Sequence, residues 1–168
     1  MAYNPADWHD FYVMTGGAAA ALTGLLFVAM SLHAKAIMAN RFYGYRAITT
    51  LMSLTSQLLL SGAVLLPGQS VTLLGVEVEV VALFFLGVSI RGILTRGRNS
   101  ASVEMRWSHQ LFELVGGSIW IVIFVAAGIS LVVRAGGGLY LLAAVMFFML
   151  AWNIYIAWIL ITEVSEAG

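Results

Sequence analysis

Long apolar runs alternate with short polar stretches along the whole chain, a pattern that predicts an all-α protein crossing a bilayer several times. The runs extend from about Tyr12 to His33, Ala47 to Leu66, Val71 to Leu94, Leu111 to Val133 and Leu139 to Ile161. A helix of about 20 apolar residues spans the hydrocarbon layer and satisfies its own amides, which water no longer reaches there. Pro67-Gly68 stops the second run, and Gly136-Gly137-Gly138 separates the fourth from the fifth. Barrel strands alternate polar and apolar residues over about ten positions, and these runs do not. The expected architecture is a polytopic transmembrane helical bundle of five spans forming one membrane domain over residues 1–168. A count of four is the alternative, with the Glu77 segment or the Ser/Thr-rich start of the second run partly outside the membrane.

Basic residues set the expected orientation. Lys35, Arg41 and Arg46 follow the first run, and Arg91, Arg96, Arg98 and Arg106 lie at or beyond the end of the third; only Arg134 separates the last two. The positive-inside rule then puts both longer connections and the C-terminus in the cytoplasm and the N-terminus outside, in a cell membrane. The stretch before the first run lacks a basic segment, so that run is expected to be a retained helix and not a cleaved leader. Trp8, Tyr12, Trp107, Tyr140 and Trp158 fall near the expected interfaces, where amphipathic rings collect.

Composition agrees with lipid as the main solvent. Apolar residues make up 61% of the chain and charged residues 10%, against about 25% charged in a soluble domain. The net charge is zero, which gives no basic face for nucleic acid. There is no cysteine, which removes disulfides, thiolate nucleophiles and cysteine-ligated metals.

Packing signals concentrate on small and weakly polar residues. Gly16, Ala20 and Gly24 recur every four residues, with Gly17 and Ala21 beside them, and such spacing lets helix backbones approach closely within or between subunits. Gly116 and Gly117, with Gly128, point to close packing on the fourth run. Thr50, Ser53, Gln57 and Ser61 form a polar stripe on the second. The plainer expectation is that its hydroxyls bond back to their own helix and Gln57 bonds to a neighbour; the functional one is a water-lined path. Asn153, beside the Trp152, Tyr155 and Trp158 stripe, is expected to bond between helices.

Ionisable residues carry the candidate chemistry. Glu77 and Glu79 sit roughly 9 to 12 Å along the third helix at 1.5 Å per residue, and charged groups at such depth usually face protein or water. Two residues apart, they point about 200° from one another, so one helix cannot aim both at one small centre. Copies from several subunits can form a cation-attracting ring; the plainer reading has both wetted at the interface. A second cluster is expected on the inner side, where His109 and Glu113 share a helix face and His33 and Arg91 reach a similar depth. As metal ligands, His33, His109 and Glu113 are weak candidates, because a metal centre usually needs three or four ligands at set spacing.

No phosphate-binding loop, zinc-protease helix or nucleophile elbow is present. Together these features lead to an expected function of cation or proton permeation through a small homo-oligomer in membrane lipid. Gln57, Ser53, Ser61, Glu77 and Glu79 line its expected path. No cofactor is expected, and an enzymatic activity is left open as the less favoured reading. The first alternative is a noncatalytic membrane scaffold or accessory subunit, and the second a redox or metal-binding subunit built on the inner cluster.

Overall fold

A computed structural model describes residues 3–98 and 107–166, with side chains described except at 41–42, 92–98, 107–118 and 163–166. Every described regular element is helical. A 3-10 turn, Pro5–Trp8, leads into α1 (His9–Leu32), followed by the short α2 (Ala34–Ala39), α3 (Arg41–Leu65), α4 (Val71–Arg98), α5 (Trp107–Val133) and α6 (Gly138–Glu166). Four helical segments are long and apolar enough to cross a membrane: Pro5–Leu32, Tyr43–Leu65, Val71–Arg91 and Gly138–Thr162. Within α5 the described apolar stretch is the shorter Ile119–Val133. This is the helix content of a multi-pass membrane protein.

The helix ends follow from local chemistry. The first turn is capped by Asn4, whose side-chain oxygen accepts from the Ala6 amide at 3.3 Å and whose amide nitrogen donates to Asp7 at 3.0 Å. At the other end of α1 the His33 ring nitrogen Nδ1 donates to the Ala29 carbonyl at 3.0 Å, where the chain breaks into α2. Two residues after α3 ends, Pro67 blocks its continuation and Gly68 turns with a φ of 75°. Ser70 then opens α4, its hydroxyl accepting from the Leu73 amide at 3.1 Å. After α5, positive φ values at Arg134, Gly136 and Gly137 reverse the chain into α6, and the Ser130 hydroxyl donates to the Ala135 carbonyl across that turn.

The chain divides into two compact units. Among the described residues the first comprises Tyr3–Gln69 with the chain from Met146 to Glu166, hence α1 to α3 and most of α6. Its apolar core joins Leu26 of α1, Ile37 of α2, Ala47 and Leu54 of α3 and Leu160 of α6. The helices α1 and α3 run antiparallel, since Thr15 meets Ser61 while Leu26 packs with Ala47 and Leu54. The second unit, Ser70–Val145, is built on the α4–α5 pair. There Val71, Leu74, Val78 and Ala82 are buried on α4, and Phe124, Ala127 and Leu131 on α5, both sets at helical spacing.

Large apolar side chains point outward from the long helices, among them Leu25, Phe27, Leu59, Val80, Val122, Phe148 and Trp158. A soluble monomer rarely exposes apolar patches beyond a few hundred Å². Lipid is the solvent that such a surface matches.

Candidate functional site

In the first unit, α3 carries a polar stripe that is buried along its whole length. Arg46, Thr50, Ser53, Gln57 and Ser61 recur at spacings of four, three, four and four, and each is at most 9% exposed. Most of this stripe is paired. The Thr50 hydroxyl donates to the Arg46 carbonyl at 2.9 Å, as membrane Thr residues commonly do. Ser53 accepts from Asn153 Nδ2 of α6 at 2.9 Å, and Ser61 shares a 3.4 Å hydrogen bond with Thr15 of α1. Gln57 differs: both its amide oxygen and its amide nitrogen are buried with no hydrogen-bond partner. The Tyr12 hydroxyl, on the α1 face that packs on α3, is buried and unpartnered as well. Leaving such groups unmet in apolar surroundings costs about 2–7 kcal/mol each.

Close helix approach in this unit falls on one face of α1. Tyr12, Thr15, Gly16, Ala19 and Leu26 are its buried residues. A Cβ on Gly16 would stand 2.9 Å from the Ser61 Cβ, so the missing side chain is what lets α3 come near. Ala20 and Gly24 lie off this face and are exposed, and nothing stands within 4 Å of a Cβ built on Gly17 or Gly24. The small residues therefore divide between two faces, with only Gly16 of the four-residue repeat in the contact.

The second unit places an acidic residue at a glycine contact. A Cβ on Gly75 of α4 would meet the Gly128 carbonyl and the Val132 amide of α5 at 3.0 Å each, so the two backbones nearly touch. One turn further along α4, Glu79 lays its carboxyl group against Gly128. A Cβ there would stand 2.8 Å from the carboxyl carbon, and the backbone of Ile129 lends the carboxyl a hydrogen bond. Glu79 Oε1 is itself buried and without a partner. Glu77 is half-buried. Glycine at 128 is what seats the Glu79 carboxyl against the helix.

The inner cluster expected from sequence is only partly described. His33 borders a small apolar pocket with Leu26, Ala29, Met30, Ile37, Leu160 and Ile161. Arg91 is exposed on α4. The side chains of His109 and Glu113 and the packing at Gly116 and Gly117 lie outside what is described, although the backbone of all four is in α5. Among the described residues no group of three His, Asp or Glu side chains stands close enough to hold a metal ion.

Sequence reasoning singled out the α3 residues Thr50, Ser53, Gln57 and Ser61, which are buried, and the two glutamates, but did not mark Tyr12, Thr15, Arg46 and Gly75 as buried participants. The usable signal was the phase shared by Tyr12, Thr15, Gly16 and Ala19, a three-four repeat that carries both hydroxyls on one side of α1. These two features, a buried hydrogen-bonded seam and a carboxyl group pressed on a helix backbone, define an all-helical membrane protein with polar groups held inside it. Comparison with protein families, with curated proteins and with solved structures finds no match to the chain.

Proposed function

We propose that this protein mediates cation or proton permeation, as a small homo-oligomer of five-span subunits in the cell membrane, with Glu79 on its path. The observation that carries this reading is the Glu79 carboxyl oxygen buried without a partner within an apolar helix. A carboxyl group at that depth is costly, and such residues most often serve ions or protons. In this reading α5 is the fifth span, the N-terminus is outside, and the basic connections after α1 and α4 are cytoplasmic. The exposed strip of Gly17, Ala20, Ala21 and Gly24 on α1 supports assembly, since small residues at that spacing suit a close helix crossing with a second copy. Gln57, Ser53 and Ser61 serve the packing of the subunit in this scheme, and Glu77 stands nearer the mouth of the path.

Purified protein reconstituted into liposomes under a cation or proton gradient tests the proposal. Flux above empty vesicles is expected, with a fall of about tenfold or more in Glu79→Gln, which keeps the shape and removes the charge. Flux that stays at the level of empty vesicles overturns permeation; flux unchanged in Glu79→Gln removes Glu79 from the path. A scaffold role is the competing reading, and the inward pairing of the α3 stripe favours it, because Ser53 and Ser61 spend their hydrogen bonds on Asn153 and Thr15. For a scaffold, Glu79→Gln preserves activity while disruption of α1 abolishes assembly.

A further inference from the structure

We propose that the α1–α3 seam of the first unit binds ordered water, held by the Gln57 amide near the middle of α3 and by the Tyr12 hydroxyl near the start of α1. Both side chains are enclosed, Gln57 at 1% and Tyr12 at 0% exposure, and their three polar atoms have no protein hydrogen-bond partner. The nearest hydroxyls on its own helix bond to other residues. One turn before it, Ser53 accepts from Asn153 at 2.9 Å; one turn after it, Ser61 pairs with Thr15 at 3.4 Å. In hydrocarbon no bulk solvent makes up the difference.

The chemistry of the unmet atoms selects the ligand. An amide oxygen accepts, an amide nitrogen donates, and a phenol hydroxyl does either, a set that water satisfies from both sides. A buried water typically makes about three hydrogen bonds to such groups. Bare cations fit poorly, because Tyr12, Thr15, Ser53, Gln57, Ser61 and Asn153 include no carboxylate. Anions fit poorly too, since the seam offers no positive charge at this level.

Position gives the site its shape. Thr15 and Ser61 mark one level of the antiparallel pair, with Tyr12 three residues away along α1 and Gln57 four residues away along α3 in the opposite direction. At 1.5 Å per residue the two orphaned groups bracket that level over about 10 Å. Water at both ends makes one hydrogen-bonded row: Tyr12, the Thr15–Ser61 pair, Gln57, then the Ser53–Asn153 pair. This row belongs to the first unit, whereas Glu79 belongs to the second, so it does not rest on the permeation reading.

Nuclear magnetic resonance in lipid nanodiscs tests the site. Labelling with [15N]glutamine marks only Gln57, Gln69 and Gln110, and Gln69→Asn and Gln110→Asn variants assign the three side-chain amides without touching Gln57. Magnetisation transferred from water is expected at the Gln57 amide as well as at Gln69, which lies in the α3–α4 turn. A Gln57 amide that receives none at mixing times where Gln69 responds, in protein of intact helix content, overturns the proposal. Flux is a separate reading, so either result can fail without the other.

Discussion

The two units solve the same problem of joining apolar helices in opposite ways. In the first, α1 and α3 approach at Gly16 and are stitched by hydroxyls and amides, Thr15 to Ser61 and Ser53 to Asn153. In the second, α4 and α5 approach at Gly75 and Gly128 until backbone faces backbone, and the polar group present is a carboxyl that the protein leaves half satisfied. Because lipid tails are as apolar as Leu, neither pair gains from burying hydrocarbon alone; contact and hydrogen bonds supply the association. The difference is one of tolerance. A hydrogen-bonded seam loses one bond at a time, while a backbone contact admits no side chain at all.

That contrast orders the expected effects of substitution. The largest falls at Gly75→Ala, because a methyl group would meet, besides the Val132 side chain, the Gly128 carbonyl and the Val132 amide, which move only if the helices move. A loss of about 2–3 kcal/mol is expected in unfolding from detergent micelles. Gly128→Ala should cost less, because the three nearest atoms in its way all belong to the Glu79 side chain, from Cγ outward, which can swing aside. Equal losses at the two glycines would mean that the Glu79 carboxyl is as rigid as backbone.

Next comes the seam. A double-mutant cycle on Ser53→Ala and Asn153→Ala should give a coupling of about 0.6 kcal/mol, the average for hydrogen bonds between membrane helices. Zero coupling would break the contrast between the units. The smallest effect is expected at Gly24→Ala, where a Cβ meets nothing within 4 Å. Unfolding of the subunit should be unmoved there, and a change in oligomer size in the same variant would show that a second copy covers this strip.

Much of the helix framework was legible in the sequence, and the contacts were not. Apolar runs bounded by Pro67-Gly68 and by the Gly136–Gly138 triplet mark where helices stop, since a missing amide donor and left-handed backbone end them in any solvent. Asn153 announced a bonding partner through the cost of burying an amide, without saying which residue it would be. Helical phase was the obscure part. In water the buried face of a helix is its apolar face, but here Gly16 packs and Gly24 faces outward with equally apolar neighbours. Hydropathy does not separate those faces, so the repeat at Gly16, Ala20 and Gly24 looked like one contact surface, whereas within the subunit only Gly16 lies in a contact. Similarly, Glu79 stood out by its charge, whereas the importance of Gly128 for seating it depended on a partner helix about 50 residues away.

The five-span reading requires α5 to cross the bilayer alongside α4, and the chain's lack of cysteine makes that directly measurable. Single cysteines at Ser100, before α5, and at Ala135, after it, can be challenged with a membrane-impermeant maleimide in sealed vesicles of known orientation. Labelling from opposite faces is expected, with Ser100→Cys reached only from the cytoplasmic side. Both positions labelled from the same face would contradict it, leaving four spans with α5 not among them.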